Sequence, residues 1–498
     1  MFYTSTRDKS IKVTASKAIA QGISEEGGLF VPCVLPQFSM DKISSMVSMS
    51  YIDRAKTVLR EFLTDFTEEE LSYCVEGAYS AEKFSSPAIA PTVHICGNKN
   101  ILELWHGPTC AFKDMALQLL PYLMTVSAKK TAEGKTIVIL VATSGDTGKA
   151  ALEGFKDVKD TKILVFYPVD GVSPMQKLQM VTQEGENVSV CAINGNFDDA
   201  QSAVKSIFTD SEIKEQLAAK NMMFSSANSI NWGRLVPQIV YYFSTYCDMI
   251  SMNNIKAGEE INVVVPTGNF GNILAGFYAK KMGLPIKMLI CASNSNNVLT
   301  DFLKTGTYDR NRSFYTTTSP SMDILISSNL ERLLYHMSDE DDKLVSDLMF
   351  QLSENGKYTV SDALIQKIQK TFDAGFTAEN DVDSTIKSHF ENYNYLCDTH
   401  TAVAVKVYDD YVKRTGDDIP SVIDSTASPY KFSKSVLSAV LGGNTPALDE
   451  FDMVDELNRV TAADVPAPLA NLKNKQVRFN NVCNRENMSE MVFSLLNL

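Results

Sequence analysis

The feature that most constrains the fold is an alternation of apolar, strand-like runs and amphipathic, helix-like runs between residues 101 and 292. Residues 136–142 (TIVILVA) form a nearly continuous β-branched run, which is typical of a strand buried on both faces. A glycine-containing turn and a helical pattern follow it, and the same order then repeats along the chain. This repetition predicts an α/β protein with parallel sheets and right-handed helical crossovers.

The individual runs give a first set of elements. We predict strands at residues 101–105, 136–142, 162–167, 188–193, 222–225, 261–266, 287–292 and 421–424. We predict helices at residues 15–23, 53–63, 68–78, 115–124, 175–183, 200–208, 236–249 and 272–282, and another that begins near residue 401.

Changes in pattern along the chain predict its domains. Residues 1–92 begin with a polar, strand-like stretch and continue with helical patterns, so we expect an N-terminal α+β domain there. The remainder, 93–498, is expected to form a catalytic region with two parallel-sheet α/β domains. The small domain is predicted at about 115–235, and the large domain at 93–114 and 236–498. Residues 300–400 carry helical patterns and acidic stretches with sparse strand signals, which predicts a mainly helical elaboration.

Composition excludes several classes of partner. The 498 residues carry a formal net charge of −14 and no basic patch of useful length, which argues against nucleic acid. No run of about 18 apolar residues predicts a membrane span, and residues 1–12 lack the apolar core of a secretory signal. Nine dispersed cysteines without a CxxC pair predict reduced thiols in a cytoplasmic protein. The five histidines form no ligand pattern, so we assign no metal.

The first candidate for chemistry is a lysine in residues 106–114 (HGPTCAFKD). Lys113 lies among small and apolar residues, directly before a helical run. A buried lysine has a lowered pKa, so its amine can form a Schiff base or act as a base. Most lysines are solvated surface charges, so this stretch alone is weak evidence for a catalytic lysine. His106 could line the same pocket, although a packed structural histidine is at least as good an interpretation.

Residues 266–272 (PTGNFGN) lie between a predicted strand and a predicted helix. Two glycines allow close approach of the backbone to a ligand, and the helix start offers unpaired N–H groups. This arrangement predicts a phosphate site, with a plain glycine-rich turn as the alternative. Because the stretch is not GxGxxG and lacks an acidic residue placed for a ribose, a dinucleotide is disfavoured.

Residues 142–149 (ATSGDTGK) follow the strand at 136–142 and open another helix. They fail the P-loop pattern GxxxxGK[ST]. The hydroxyls of Ser144 and Thr147, with the amides of the helix start, suit a carboxylate such as that of an amino acid. A helix N-cap built from Ser, Asp and Thr is compatible with the same residues.

Two further stretches carry polar side chains at turns. Residues 228–234 (NSINWGR) combine amide and hydroxyl donors with Arg234, a set suited to a phosphate oxyanion. The alternative is that Arg234 is an exposed residue at a helix start. Residues 424–429 (DSTASP) follow a late strand and place hydroxyls where open α/β sheets bind ligands. A structural turn is the simpler interpretation of that stretch.

Together and in this order, the motifs resemble threonine synthase, a family of pyridoxal-phosphate-dependent enzymes of fold-type II. The resemblance covers nearly the whole chain. It is carried by GLFVP at residues 28–32 and by HGPTCAFKD, ATSGDTGKAAL, NSINWGR, PTGNFGN and STASPYKFSK. The chain departs from the family at Cys110, where a bulkier apolar residue is common, and this change affects the packing near the lysine.

The resemblance implies roles for particular residues. Lys113 is expected to carry pyridoxal 5′-phosphate covalently and to be the catalytic residue. The cofactor phosphate is expected at Gly268, Asn269, Phe270 and Asn272, and the pyridine nitrogen at Thr426. The substrate is expected to contact Ser144, Asp146, Thr147, Asn228, Ser229, Asn231 and Arg234.

The activity that the resemblance implies is conversion of O-phospho-L-homoserine and water to L-threonine and phosphate, by a monomer or homodimer. One alternative keeps the fold and changes the reaction to that of a serine or threonine dehydratase or a β-replacement enzyme. Those enzymes lack a second phosphate site, so the residues at 228–234 discriminate between the two. Another alternative is a catalytically silent homologue that binds an amino acid or pyridoxal phosphate, which the retention of Lys113 disfavours.

Overall fold

Two mainly parallel β-sheets organise the fold in the computed structural model, which describes residues 1–131, 134–143, 145–170 and 172–498. The strands are β1 Tyr3–Ser5, β2 Phe30–Pro32, β3 Thr92–Cys96, β4 Lys99–Glu103, β5 Thr136–Ala142, β6 Thr161–Pro168, β7 Val188–Asn194, β8 Met222–Ser225, β9 Ile261–Pro266, β10 Ile286–Ser293, β11 Thr307–Asp309, β12 Lys357–Thr359, β13 Phe372–Phe376, β14 Ser421–Ser425 and β15 Asn481–Asn484.

Helices connect and cover these strands. The α-helices are α1 Ala15–Gln21, α2 Met40–Ser45, α3 Tyr51–Phe62, α4 Glu68–Ala78, α5 Lys113–Leu117, α6 Leu120–Thr131, α7 Asp146–Phe155, α8 Pro174–Val181, α9 Phe197–Thr209, α10 Ser211–Ala219, α11 Trp232–Ser251, α12 Gly271–Lys281, α13 Val298–Thr305, α14 Leu330–Met337, α15 Asp342–Asn355, α16 Asp362–Gln369, α17 Glu379–Tyr393, α18 Thr399–Thr415, α19 Ser433–Val440, α20 Glu450–Thr461, α21 Ala467–Ala470 and α22 Met488–Leu496. Short 3-10 helices lie at Pro320–Met322, Pro429–Phe432, Leu472–Asn474 and Arg485–Asn487.

The larger sheet has six strands in the order β13-β10-β9-β14-β4-β3. All neighbours are parallel except β3, which runs antiparallel to β4 at one edge. The whole of β9 is buried, as expected for a central strand covered on both faces. Because β9, β14 and β4 are adjacent and parallel, the segments that follow their carboxyl ends meet at one edge of the sheet. That edge carries the predicted lysine and phosphate motifs.

The smaller sheet has five parallel strands in the order β15-β7-β6-β5-β8. β5 has the bounds predicted from its β-branched run. β15 joins from near the C-terminus, so the prediction that all of 236–498 belongs with the larger sheet is wrong for this strand. Residues Asn481–Asn484 (NVCN) have no alternation of apolar and polar residues, and only pairing with β7 makes them a strand.

The N-terminal part combines an antiparallel pair, β1 and β2, with helices α1 to α4. α4 has the predicted bounds, and a capping box between Thr67 and Glu70 fixes its start. Trp232, the first residue of α11, packs its ring 5.3 Å from that of Tyr3 and 5.6 Å from that of Phe62. The N-terminal elements therefore share a core with α11 and support its first turn.

Residues 300–400 are mainly helical, as predicted, with α13 to α17 and three short strands. β11 and β12 pair antiparallel with each other, whereas β13 adds an edge strand to the larger sheet. None of the helices in the described part of the chain combines the length and the apolar composition needed to cross a lipid bilayer.

Candidate active site

Lys113 is the first residue of α5 and lies at the carboxyl edge of the larger sheet. The loop before it is held by Asp114, which accepts hydrogen bonds from the Thr109 amide at 2.8 Å and the Thr109 hydroxyl at 2.7 Å. The Phe112 amide donates to the Thr426 carbonyl at 2.8 Å, which ties the loop to the end of β14. The Lys113 Nζ donates to the Ser321 Oγ at 3.3 Å. The sequence motif thus becomes a rigid support for one amine.

The electrostatic surroundings lower the pKa of the Lys113 amine to about 8. Burial is the largest cause, since the charged form loses its hydration. The Asp146 carboxylate opposes this effect, while the nearby Lys431 and Arg234 cations add to it. A substantial fraction of the amine is therefore neutral near pH 8, as a nucleophile or base requires.

Asp146, at the start of α7, is the carboxylate that faces this lysine. It forms a buried ion pair with Lys431, with Oδ1 and Nζ 2.9 Å apart. Gln176 donates to the same oxygen at 3.1 Å, and the Ser321 hydroxyl donates to Oδ2 at 3.4 Å. Burial alone would raise the pKa of Asp146, but the Lys431 and Lys113 cations hold that pKa well below its usual range. Asp146 is thus an anion in the site.

The loop at 266–272 leads into α12 as predicted. The first bond inside the helix runs from the Leu274 amide to the Phe270 carbonyl at 3.0 Å, so the amides of residues 271–273 have no acceptor within the helix. Gly268 lies so close to the next segment that a Cβ at this position would be 2.7 Å from the Ser321 carbonyl oxygen. The helix start, with its positive dipole end, therefore lies beside the residue that contacts Lys113.

Two of the residues expected at the cofactor phosphate, Phe270 and Asn272, have side chains that pack into the core. Phe270 adopts a left-handed backbone with φ of 63°, and its ring is buried 5.8 Å from that of Phe372. The Asn272 side chain accepts from the Tyr241 and Tyr242 hydroxyls and donates to the Asp424 carboxylate. The core therefore holds both side chains and leaves the backbone amides for an anion, so contact of Phe270 and Asn272 with the cofactor phosphate stays a prediction.

Asn269 and Gly268 complete the loop. The Asn269 side chain is exposed, and its carbonyl accepts from the Asn329 amide at 3.2 Å. The Gly268 carbonyl accepts from the Ser327 hydroxyl at 2.8 Å. Both backbone carbonyls are therefore turned toward the 327–329 segment, which fixes the conformation of the loop.

Thr426 follows β14 at the same edge. It is 5% exposed, and its backbone carbonyl accepts from the Phe112 amide. Its hydroxyl makes no hydrogen bond to any residue that the structure describes. The hydroxyl is therefore available to a ligand, and its role at a ring nitrogen stays a prediction.

Arg234, in the first turn of α11, is buried with 4% exposure. The alternative of a solvated surface arginine is therefore wrong. Its Nη1 donates to the Ala227 carbonyl at 2.5 Å, but its Nε has no partner within the described residues. Burial lowers the pKa of this guanidinium to about 10. A buried cation with an unused donor is costly unless an anion binds to it.

The other members of the 228–234 motif divide into two kinds. Asn231 caps α11: its Oδ1 accepts from the Gly233 amide at 2.8 Å, and its Nδ2 donates to the Ile19 and Ser226 carbonyls. The backbone thus holds its side-chain amide, and contact of Asn231 with the substrate stays a prediction. The Asn228 side chain is exposed and Ser229 is partly buried, so both remain open to a ligand.

Comparisons with known proteins decide the family of this chain. Three family models match: "Threonine synthase N terminus" at residues 2–79, "Pyridoxal-phosphate dependent enzyme" at 101–348 and "Threonine synthase, C-terminal" at 401–492. The chain is 36% identical over 487 residues to threonine synthase of Saccharomyces cerevisiae, with 92% of this chain and 93% of that protein covered.

The chain belongs to the threonine synthase family.

Two other relatives define the extent of the likeness. The chain is 42% identical to "Threonine synthase-like 1" of Macaca fascicularis, over 87% of this chain, and spans 59% of the length of that relative. The solved structure of PLP-bound threonine synthase from Brucella melitensis superposes with a TM-score of 0.88 at 36% identity, covering 99% of each chain. The predicted pyridoxal-phosphate fold-type II architecture is therefore confirmed, and the cofactor is pyridoxal phosphate.

The residues present fit this cofactor. Lys113 supplies an amine with a lowered pKa, and the start of α12 supplies free amides for a phosphate. Gly268 permits a backbone approach that a side chain would block. Thr426 supplies a hydroxyl that no described residue engages, beside the lysine loop. An amine, free amides and a hydroxyl are groups that could hold the aldehyde, the phosphate and the ring nitrogen of this cofactor.

The motif at 142–149 is described in part. Ser144 lies outside the described residues. The Thr143 hydroxyl accepts from the Gly145 amide at 3.0 Å and the Gly148 amide at 2.9 Å, which sets the turn before α7. Thr147, in the first turn of α7, is partly buried and remains a candidate for the substrate carboxylate.

Three residues of the site were not singled out by the sequence. Lys431 lies within the STASPYKFSK motif, and this position could have identified it as a candidate site residue. Ser321 lies in a stretch expected to be helical and carried no signal. His400 Nε2 accepts from the Ser321 amide at 3.1 Å, and its Nδ1 is 2.7 Å from Asp398 Oδ2. The aspartate–histidine pair therefore holds Ser321 beside Lys113.

Two residues near the lysine are structural. His106 bonds to Glu103 at 2.7 Å and stacks on Trp105 with ring centroids 4.3 Å apart. Cys110 is buried in a left-handed conformation with φ of 58°, and burial raises the pKa of its thiol to about 12. The thiol is thus protonated at neutral pH and contributes to packing rather than to nucleophilic chemistry.

Proposed function

We propose that this chain is a threonine synthase, which converts O-phospho-L-homoserine and water to L-threonine and phosphate by γ-elimination and β-addition. This is the last step of threonine biosynthesis. The observation that carries the proposal is Arg234, a buried cation whose Nε has no partner among the residues that the structure describes, and which acts electrostatically on Lys113. Because the start of α12 serves the cofactor phosphate, Arg234 supports a second anion, the phosphate that leaves the substrate.

Lys113 is the proton carrier of the proposed reaction. When bound, pyridoxal phosphate supplies an electron sink for the substrate α-carbon. The Lys113 Nζ holds the cofactor and, once released in its neutral form, accepts a proton from the substrate carbon and delivers it again. A pKa of about 8 suits an amine that must both take and give a proton near neutral pH. The Ser321 hydroxyl, 3.3 Å from Nζ, orients the amine.

The cofactor anchors favour elimination and addition. The amides at the start of α12 bind the cofactor phosphate, and the Thr426 hydroxyl meets the pyridine nitrogen. A hydroxyl does not hold that nitrogen protonated as firmly as a carboxylate does, which limits charge delocalisation into the ring. Transamination is disfavoured for this reason, and the elimination–addition course is favoured.

The substrate is proposed to bind between α7 and α11. Arg234, Asn228 and Ser229 bind its phosphate, and Ser144 and Thr147 with the amides of α7 bind its carboxylate. Asp146 is an anion paired with Lys431, so it repels a carboxylate; we assign it to orienting the cofactor and Lys113.

We propose that the whole protein acts in the cytoplasm, as a monomer or homodimer. We also propose a domain division at 1–92 and 93–498, with a small domain at about 115–235 that includes the C-terminal strand β15 and a large domain from the remainder. The separate five- and six-stranded sheets support the second division.

One assay tests the activity against its alternatives. Purified chain is incubated with O-phospho-L-homoserine, or with L-threonine, with and without added pyridoxal phosphate, and phosphate, threonine and ammonia are quantified. Equal release of phosphate and threonine supports the proposal. Ammonia from threonine without phosphate release would instead establish a dehydratase. A chain that binds the cofactor but turns over neither substrate would be a silent homologue.

The Lys113→Ala variant tests the role of the amine. We expect turnover to be abolished, while the fold is retained and the cofactor binds without a covalent link and is removed by dialysis. Borohydride reduction followed by mass spectrometry measures the covalent link. Lys83→Ala is the control, since Lys83 is partly buried and its amine hydrogen bonds to the Tyr122 hydroxyl, away from the site. Normal turnover by Lys113→Ala would refute the assignment.

A further inference from the structure

Lys431 is a buried cation that joins three segments of the candidate site. It lies in the 3-10 helix Pro429–Phe432 that follows Thr426, and its side chain is fully buried. Its Nζ is 2.9 Å from Asp146 Oδ1 and donates to the Thr109 carbonyl at 2.9 Å. One ammonium thus connects the end of β14, the start of α7 and the loop that presents Lys113.

The contacts continue from this ion pair to the catalytic amine. The second carboxylate oxygen of Asp146 accepts from the Ser321 hydroxyl at 3.4 Å, and that hydroxyl accepts from the Lys113 Nζ at 3.3 Å. Lys431 therefore contacts one oxygen of this carboxylate directly, and Lys113 is linked to the other oxygen through Ser321. If Lys431 were absent, Lys113 would be the cation left to neutralise Asp146, and its protonated form would be stabilised.

We infer that Lys431 is a positioning residue of this site, which neutralises Asp146 and thereby keeps Lys113 available as a neutral amine. The inference rests on the role of Lys113 in the proposed function, and it goes further by assigning the source of that amine's reactivity. Lys431 acts through Asp146 and Ser321 and does not touch the reacting atoms.

The charged groups around Lys113 support this assignment. Asp146 faces it from α7 and Asp114 from α5, while Lys431 and Arg234 face it from the 3-10 helix and from α11. The two carboxylates raise the pKa of Lys113, and the two cations lower it. Thr109 already binds the Asp114 carboxylate. We therefore expect the pair formed by Lys431 and Asp146 to control the pKa of Lys113.

The alternative is that Lys431 is only a structural tether between segments. Titration of Lys113 separates the two roles, because a tether affects the stability of the fold and leaves the charge balance at Nζ unchanged. The titration uses the full chain freed of cofactor. Competitive labelling with acetic anhydride over a range of pH, followed by mass spectrometry of the peptide that contains Lys113, gives the midpoint of its amine without any turnover.

We expect the neutral variants Lys431→Gln and Lys431→Met to raise the Lys113 midpoint by about 1 to 3 pH units. Glutamine keeps donors for Asp146 and the Thr109 carbonyl, so a shift in that variant reports charge and not lost hydrogen bonding. Lys431→Arg keeps the charge and should hold the midpoint near that of the parent chain. Lys99→Gln is the matched control, since Lys99 is a buried lysine paired with Asp409 at 2.8 Å, at the opposite end of β4.

Asp146→Asn removes the carboxylate that raises the pKa of Lys113, so it should lower the Lys113 midpoint. If both neutral Lys431 variants fail to fold, this variant tests the inference instead, and an unchanged midpoint overturns it. For folded Lys431 variants, an unchanged midpoint overturns it as well. The double variant Asp146→Asn/Lys431→Gln should have a lower midpoint than Lys431→Gln alone; equal midpoints would show that Lys431 does not act through Asp146.

A second measurement follows covalent uptake of pyridoxal phosphate by absorbance near neutral pH. We expect uptake about tenfold slower or more in Lys431→Gln, because a pKa raised by one unit leaves roughly a tenth of the neutral amine. These readouts separate this inference from the proposed function. A chain that makes no threonine but shows the shifts contradicts the proposed function alone, and a threonine-producing chain without the shifts contradicts the role of Lys431 alone.

Discussion

Arg234 illustrates how the environment of a single residue carries functional information. Its residue type indicated either a solvated charge or an anion ligand. Burial decides against the first, and in the described part of the chain Nε has no partner. The buried Nε donor is destabilising while it lacks a partner, and an anion that accepts its hydrogen bond removes that cost. The substrate phosphate is the anion that the proposed reaction places there.

Replacement of Arg234 by Ala is expected to lower kcat/KM for O-phospho-L-homoserine by about 10- to 100-fold, since a hydrogen bond to a charged group contributes about 1.5–3 kcal/mol. The affinity for pyridoxal phosphate should change far less. Steady-state kinetics and cofactor titration measure the two effects. Arg414→Ala is the control, because Arg414 forms an exposed ion pair with Asp373. Equal losses in both measurements would make Arg234 structural.

Asp424 should give the stability of the protein a pH dependence. Burial raises the pKa of this carboxyl from 3.8 to about 7, although the Tyr242 and Asn272 hydrogen bonds oppose the rise. Between these two values the folded state binds a proton that the unfolded state has lost. Stability therefore falls as pH rises from about 4 to 7, by at most about 4 kcal/mol from this group.

The Asp424→Asn variant does not titrate at this position. Its free energy of unfolding should decline less between pH 5 and 8 than that of the parent chain, and urea unfolding at several pH values measures the difference. Asp114, whose pKa burial raises to about 6, contributes equally to both chains and so cancels in the comparison. Parallel pH profiles for the two chains would show that Asp424 is ionised in the folded state throughout.

At the scale of elements, the phosphate site depends on how closely the loop before α12 approaches the 320–322 helix. Gly268→Ala places a Cβ 2.7 Å from the Ser321 carbonyl oxygen, so one of the two backbones must move. We expect the Kd for pyridoxal phosphate to rise about tenfold or more, from a strain of roughly 1–3 kcal/mol. Equilibrium titration after dialysis measures it.

The same loop provides a matched control. A Cβ on Gly271 meets its nearest neighbour, Asn329 Nδ2, at 3.4 Å, and Gly271 opens α12 in a helical conformation. Gly271→Ala should therefore leave the Kd within about threefold, since the added methyl makes an ordinary contact. If both variants bind the cofactor equally well, close approach at Gly268 is not required.

Elements with a clear local pattern were predictable, including the four-residue strand β8, and elements without such a pattern were not. The β-branched run of β5 and the capped pattern of α4 were predicted with their bounds. The start of α11 was predicted at 236 but lies at Trp232, because Asn231 provides a cap that a pattern of apolar residues does not contain. β15 was missed, since its sequence, NVCN, does not alternate apolar and polar residues.

At the scale of the whole molecule, the C-terminal segment completes the smaller sheet. Strand β15 pairs with β7, and α22 buries Met488, Val492 and Leu496 against the core of that sheet. The two sides of this contact are separated by almost 300 residues of sequence. The segment after residue 480 therefore stabilises the sheet that carries Asp146, although it is remote from the site along the chain.

Leu496→Ala is expected to reduce the free energy of unfolding of the chain by about 2 kcal/mol or more, because it removes a buried side chain from this core. Leu498→Ala is the matched control, since Leu498 is 39% exposed and its removal should cost little. Urea denaturation followed by fluorescence and circular dichroism gives both values. Equal stability of the two variants would mean that α22 does not pack on the sheet in solution.

The sequence by itself determined the α/β class, the catalytic lysine candidate and the anion-binding helix start, because strand periodicity, glycine turns and motif spacing are local properties. Only the tertiary structure decided which polar side chains remain free. By residue type, Asn231 and Asn272 did not differ from the other candidates, yet the folded chain engages the side chain of Asn231 in a helix cap and that of Asn272 in a core network. Ser321 and Lys431 are more than 200 residues from Lys113 along the chain. Ser321 bonds to Lys113 and Lys431 pairs with Asp146 only in the folded chain, so burial and charge pairing assign them to the site.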